Sequence, residues 1–548
     1  MITIERLETR VGILPLLTGG KVDVAAFTLV GADVLLERND AGVGNWELDT
    51  GAAPRADGGK TPTVDVRALA VQRASLSYRE SPTAEAATLT ITSLTLTPTS
   101  AGKLAVTAAA GINDKALRID GSVGVLAGLL DRAPVPFALN LDYGGYGAEL
   151  DGTLQLLPGG RGIKLTVGGN TDGISGLSGN IGITFDGERP KVSGDLKADR
   201  LEPGSARDDA EAGAALPARV FDDTPLPLEA LAAADIDMRL AAASVVTATR
   251  TLTDVKSAIT LADSVLVAGP IEAAYGGGRI NALVKLDGSR QLPELDISVT
   301  AADVELGRID QLAALVSGAA ASADIALRGR GHTAAAIAAS SSGHVRIDVG
   351  PGTVTSGTAN LLGADLMMQS LRAISPAAGG TQSTELECAV MNFPIRNGIA
   401  VNDKGIGIQT SRFVVLGGGN INLKTEQLDL ALKPKARKGL GISAASLASL
   451  VRLRGTLSEP SVAPDALGVA AAGARVGAAI FTGGLSVLAE GALNKASSGN
   501  LAVCDVARGQ LELDAAPAPE DASTLDAARS AGGKAVESGR KLLKNLFD

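Results

Sequence analysis

Aromatic residues are almost missing from this sequence. Phe, Trp and Tyr together make up 2% of 548 residues, although 45% are hydrophobic. Large globular enzymes use aromatic rings to fill thick cores. A chain built instead from Ala, Val, Leu and Ile, with 67 glycines, suits a thin and extended sheet better. Histidine is scarce as well. His332 and His344 sit in a Gly/Ala/Ser-rich stretch with no His-x-x-x-His or Cys-x-x-Cys companion, so no metal site is expected. A Ser-His-Asp triad would have to draw on one of those two, and no G-x-S-x-G elbow supports it. Gly59-Lys60-Thr61 has the end of a phosphate loop, but the required first glycine falls on Pro54. No strand-loop-helix unit surrounds the other glycines, whose spacing fits hairpins rather than a dinucleotide fingerprint. Carboxylates are abundant but scattered at strand edges and turns. With no catalytic residue, metal ligand or cofactor site to assign, the chain is not expected to be an enzyme.

Two further absences narrow the class. The 60 acidic and 50 basic residues give a net charge of −10, and no basic stripe carries interleaved aromatics, so nucleic acid is not an expected partner. Long apolar runs are lacking too. Val476–Ala489 falls short of the roughly 20 residues that a membrane-spanning helix needs. Nor does a signal peptide open the sequence, because Met1-Ile2-Thr3-Ile4-Glu5 begins inside an alternating strand. Cys388 and Cys504 are the only cysteines. They fit either one disulfide in an oxidising compartment or two buried thiols, and composition leaves both open.

What the chain does have is alternation. In residues 397–434, Ile421 and Leu423 sit between Asn420, Asn422 and Lys424, while Leu428, Leu430 and Leu432 sit between Gln427, Asp429, Ala431 and Lys433. A period of two puts the aliphatics on one face of a strand and the polar groups on the other. Asp403-Lys404-Gly405, Gly417-Gly418-Gly419 and Lys424-Thr425-Glu426 punctuate this run at hairpin spacing, which predicts an antiparallel meander. The same design recurs in residues 64–67 and 88–97, and Asp-Gly pairs at Asp120-Gly121, Asp151-Gly152, Asp186-Gly187 and Asp287-Gly288 predict further hairpins. Segments starting at Ile183 and Val284 resemble each other, each reading strand, turn, strand and a leucine-acid exit, which points to a repeating sheet. Leu306–Ser317 and Ala359–Ile374 have helical spacing, read as core packing. After Arg437, helices are expected at residues 442–450, 466–489 and 525–547, the last either lying at a membrane interface or docking on the sheet. The expected organisation is therefore a first β segment over residues 1–210, a second over 225–437 and a helical region over 438–548.

Residues spread along the whole chain resemble one family. Leu14-Pro15-Leu16-Leu17-Thr18-Gly19, Leu35-Leu36-Glu37-Arg38 and Gly44-Asn45-Trp46 are similar to the N-terminal part of the AsmA family. Phe185-Asp186-Gly187 and Pro225-Leu226-Pro227-Leu228 fit it as well. Residues 353–364, Glu387-Cys388-Ala389, Asn397-Gly398 and residues 454–460 resemble its C-terminal domain. The resemblance implies a mainly β fold, a long bent antiparallel repeating sheet with an apolar groove, carrying short connecting helices and C-terminal helices. It further implies a non-enzymatic protein of the Gram-negative envelope, held at the inner membrane on its periplasmic side. The implied cargo is phospholipid or another acyl-chain lipid, passed between inner and outer membranes. The alternative within the family is an assembly factor that assists insertion of outer-membrane proteins. Family members begin with a transmembrane helix and further β-structure, and Met1 falls inside that domain, so an upstream anchor is expected. Ile421, Leu423, Leu428, Leu430 and Leu432 are the candidate groove lining. If the chain reaches the periplasm, Cys388 and Cys504 are its candidate disulfide.

Overall fold

The computed structural model describes residues 2–12, 22–37, 44–45, 64–66, 68–79, 87–112, 115–125, 127–130, 132–158, 161–185, 189–203, 219–247, 250–310, 312–355, 383–437, 451–464, 493, 495–499 and 502–511. The chain is mainly β and divides into two compact units. Unit 1 comprises residues 1–210 and 233–247, and unit 2 comprises residues 211–232 and 248–548. The helices expected at 359–374, 442–450, 466–489 and 525–547, and the turn at Asp186-Gly187, lie outside the described residues.

Unit 1 begins with β1 (Ile2–Gly12), β2 (Val22–Glu37), β3 (Val64–Val66), β4 (Leu69–Arg79), β5 (Ala87–Pro98) and β6 (Leu104–Ile112). It continues with β7 (Lys115–Val123), a short helix α1 (Ala127–Leu130), β8 (Val135–Tyr143), β9 (Tyr146–Leu156) and β10 (Gly162–Thr171). β11 (Ile174–Thr184), β12 (Lys191–Leu201) and β13 (Asp235–Val246) complete it. From β4 to β12 each strand pairs antiparallel with the next. The expected all-antiparallel order fails at two places. β2 pairs parallel with β3 and β4, and β12 pairs parallel with β13. Parallel neighbours require a crossover of a dozen or more residues. Residues 38–63 and 202–234, which lie between the paired strands, give the chain that length.

Unit 2 opens with β14 (Thr251–Ala262), β15 (Val265–Tyr275), β16 (Gly278–Asp287) and β17 (Glu294–Glu305). β18 (Val316–Gly318), β19 (Ala320–Arg330), helix α2 (Ala334–Ser340), β20 (Ser342–Val349) and β21 (Gly352–Thr355) follow. Then come β22 (Ser383–Arg396), β23 (Ile399–Thr410), β24 (Phe413–Asn422), β25 (Gln427–Ala436), β26 (Val451–Thr456), β27 (Pro460–Pro464) and helix α3 (Val503–Arg508). The helix read at Leu306–Ser317 is instead a 3-10 turn at Leu306–Arg308, further turns and strand β18. Its leucines do reach a core, with Leu315 fully buried, but Val316–Gly318 pair with β21 and tertiary context overrides the local period. The region after Arg437 is likewise not all helical, since β26 extends the sheet from β25 and β27 from β26.

Several expected turns are strand interiors. Asp120-Gly121 lies inside β7 and Asp151-Gly152 inside β9. At Gly152 the backbone has φ +156°, and a Cβ there would fall 1.9 Å from the Thr166 carbonyl oxygen, so only glycine fits. In unit 2, Asp403–Gly405 is an irregularity within β23, and Gly417–Gly419 runs through β24. Some hairpins form where positive φ is available at two consecutive residues. Asp263-Ser264, Gly276-Gly277 and Asn397-Gly398 each join two strands in this way.

Candidate functional site

Strand pairing sorts side chains in unit 1 onto two chemically distinct faces. Leu69, Val71, Ala74 and Leu76 of β4 lie opposite Leu96, Leu94, Ile91 and Leu89 of β5. The residues between them, Gln72, Ser75 and Ser77, lie opposite Ser93, Thr90 and Thr88. The apolar row continues through Leu117 and Ile119 of β7, Leu139 and Leu141 of β8, and Leu150 and Leu154 of β9. Leu165 and Val167 of β10, Ile181 of β11, Leu196 of β12 and Leu240 of β13 carry it on. Along β8 the face is half-buried at Phe137, Leu139 and Leu141, whereas Pro136, Ala138 and Asn140 on the other side are exposed. Elements of this unit meet as ladder neighbours, apart from α1, which packs near β9 and β3 at one rim. Among the described residues, no second layer covers the aliphatic face. An apolar sheet face calls for a covering partner, whether from the chain or from a ligand.

Unit 2 has the same two-faced order but a graded burial. Leu286, Val284, Ala282 and Ile280 of β16 lie opposite Leu295, Ile297, Val299 and Ala301 of β17, and all eight are half-buried. Their opposite face carries ion pairs. Arg330 bonds to Glu294 at 2.6 Å, and Arg328 pairs with Asp296. Toward β22–β26 the apolar face closes on itself. Phe393, Ile395, Ala400 and Leu430 form one core there, and Phe413, Val415, Leu432 and Val451 another.

The five expected lining residues share that closing face. Ile421 lies opposite Leu428, while Leu430 and Leu432 sit opposite Gly419 and Gly417. Leu423 packs with Ile421 and Leu430 in the first of those cores. Leu428, Leu430 and Leu432 are buried, at 8%, 7% and 9% exposed, whereas Ile421 and Leu423 are half-buried. The opposite face of these strands is not wet throughout. Val414, Leu416 and Ala431 pack against Val503, Val506 and Ala507 of α3. Gly407 lets α3 approach, since a Cβ there would lie 2.7 Å from the Val503 carbonyl oxygen. Cys388 and Cys504 are joined in a disulfide with a Cα–Cα distance of 6.5 Å, and Cys504 is buried. Asn392 Nδ2 donates to the Ala507 carbonyl at 3.2 Å, and Arg508 bonds to Asp348 at 2.6 Å. The α3 helix is thus fastened to the face opposite the aliphatic cores.

Sequence reading missed a strap at the hairpin end of unit 2. Glu426, in the β24–β25 turn, is 1% exposed. Its carboxylate accepts from the backbone N–H of Val220 at 2.6 Å, that of Phe221 at 3.1 Å and Arg219 Nε at 3.2 Å. Burial works against the charge, but the Val220 and Phe221 amides and the Arg219 guanidinium outweigh it, and the carboxyl titrates below its ordinary range. From there the strap runs on to α2. The Leu226 amide donates to the His332 carbonyl, and the Ala335 amide donates to that of Asp222. The separation of 207 residues between Arg219 and Glu426 is why no local pattern announced the contact. His332 and His344 do not come together as a site. His344 instead meets Asp324 at 3.0 Å. Among the described residues, no group of three His, Cys, Asp or Glu side chains could hold a metal ion. No described helix is long and apolar enough to cross a membrane.

Comparison with known proteins agrees with the resemblance. The sequence profile of the AsmA family matches residues 186–404. The AsmA family protein YhjG of Escherichia coli (strain K12) is 27% identical over 240 residues, covering 42% of this chain and 33% of that protein. The chain therefore spans about a third of the length of this curated relative. No solved structure matches it. The family profile over residues 186–404 and the curated relative both support assignment to the AsmA family, and the repeated two-faced sheets are consistent with it.

Proposed function

We propose that this protein is a non-enzymatic carrier of acyl-chain lipid in the Gram-negative envelope, working on the periplasmic side of the inner membrane and passing phospholipid between the inner and outer membranes. The observation that carries this reading is the aliphatic face of unit 1, continuous from β4 to β13 with no described layer over it. Each acyl CH₂ transferred from water to such a face gains about 0.8 kcal/mol, so a single chain of ordinary length is held without any catalytic group. Similarity to the AsmA family supports an envelope role. The buried Cys388–Cys504 disulfide supports maturation in an oxidising compartment. In this role the protein uses no metal, cofactor or nucleic acid.

Native mass spectrometry of the protein purified without detergent tests the reading. Co-purifying phospholipid that is lost in Leu139→Asp is the expected result, since a carboxylate on the aliphatic face is costly to bury beneath a bound chain. Protein that is lipid-free from an envelope fraction, and that takes up no phospholipid from liposomes, refutes it.

A further inference from the structure

The two rims of the aliphatic face in unit 1 are chemically different. At the rim formed by the start of β6 and β8 and the end of β5, the face ends in Leu104, Val135 and Leu96, all buried. At the opposite rim the same registers hold amphipathic side chains. Tyr143 closes β8 and lies opposite Tyr146, which opens β9. Lys115 opens β7 opposite Ile112, and Tyr78 stands near the end of β4 opposite Ala87. The Lys115 ammonium lies 5.9 Å from the centre of the Tyr143 ring, which places it on the aliphatic side of the sheet. Lys115 is exposed, and among the described residues no carboxylate pairs with it. The nearby Asp172 is engaged elsewhere, accepting from the Gly147 amide at 2.7 Å. The hydroxyls of Tyr143 and Tyr146 have no hydrogen-bond partner among the described residues, and both rings are half-buried. The chain has four tyrosines. The fourth, Tyr275, occupies the equivalent last register of the aliphatic face in unit 2, opposite Gly278 at a hairpin.

Tyrosine is favoured where one end of a side chain is dry and the other wet, and lysine buries its stem while keeping its charge in water. We propose that the Lys115–Tyr143–Tyr146 rim seats the phosphate of a phosphate-bearing acyl lipid, whose tail lies on the aliphatic face toward the closed rim. The inference rests on the lipid-carrier reading and deepens it, because it gives the cargo an anionic headgroup and a fixed orientation. Lys115 neutralises the phosphate, and the two phenol hydroxyls donate to its oxygens or to the glycerol. On the aliphatic face itself, Leu96, Leu104 and Val135 close the other rim with neither charge nor donor, which orients the lipid.

Equilibrium binding to the full chain tests this with two probes that share a tail, lauroyl lysophosphatidic acid and the neutral monolauroylglycerol. At low salt the wild type binds the phosphate-bearing probe about fivefold more tightly, the scale of one half-solvated charge contact. Lys115→Gln abolishes that preference and leaves the neutral probe unchanged, while Lys115→Arg restores it. Inorganic phosphate at the same concentration displaces neither probe. A preference that survives in Lys115→Gln overturns the rim assignment while leaving the carrier reading intact. A wild type that binds neither probe overturns both.

Discussion

Replacing Glu426 by Ala should unfasten the strap of unit 2 without unfolding the sheet. The carboxylate is 1% exposed and is the acceptor for two backbone amides and the Arg219 guanidinium. Arg219 is half-exposed, also pairs with Asp223 and recovers water on loss of its partner. The Val220 and Phe221 amides lose their acceptor. Both are only part-buried and regain some water, but each lost hydrogen bond to a charged group is worth about 1–3 kcal/mol. The expected local loss is therefore on the order of 2–5 kcal/mol. Glu426→Gln keeps one carbonyl oxygen and should lose roughly half of that. Amide hydrogen exchange reads the result directly. Val220 and Phe221 should exchange roughly thirtyfold faster or more in Glu426→Ala, since ~2 kcal/mol corresponds to about one and a half decades, while amides of β16 and β17 stay protected. The same logic fixes the pH dependence. A carboxyl whose folded pKa is lowered contributes stability that is complete above the ordinary glutamate range and is lost as pH falls through the lowered folded value. Strap protection should hold at neutral pH and fade only in acid below that range. Unchanged exchange at Val220 and Phe221 in Glu426→Ala would refute the latch.

Other outcomes are open to direct measurement. Reducing the Cys388–Cys504 bond, which closes a separation of 116 residues, should release α3 and remove about 4–5 kcal/mol on the chain-entropy account. Melting of Cys504→Ser with and without reductant checks it, since the variant should no longer respond. Gly152→Ala must place a Cβ 1.9 Å from the Thr166 carbonyl, so unit 1 should lose about 2–4 kcal/mol from backbone strain and overpacking. In denaturant melts, a variant as stable as wild type would show that β9 carries no such crease. In unit 2, a photo-crosslinker at half-buried Val284 should capture lipid more efficiently than one at buried Leu430, and equal capture would contradict the graded burial.

Much of the fold was readable because alternation is a short-range signal. The aliphatic and Ser/Thr faces of β4 and β5 are written in the order of residues 69–79 and 87–98, and the hairpin after β16 was marked by Asp287-Gly288. Glycine was misread where one residue serves two purposes. Asp151-Gly152 has hairpin composition, yet Gly152 lies mid-strand because the Thr166 carbonyl excludes a side chain. The shared face of Leu428, Leu430 and Leu432 was readable, but its closure was not. Burial there depends on Phe413, Val415, Val451 and Phe393, brought in by strands whose pairing no local pattern encodes. For the same reason the parallel β12–β13 junction and the Arg219–Glu426 strap were invisible. Both depend on where a long connection returns.

The central claim, that the aliphatic face carries lipid, is tested most directly by neighbouring residues on one strand. Leu139 points to the aliphatic face of β8 and Asn140 to the exposed polar face. A photo-activatable residue at each position, irradiated in intact cells, should yield phospholipid adducts at position 139 and none at position 140. Equal labelling at both positions, or adducts at neither, contradicts the account.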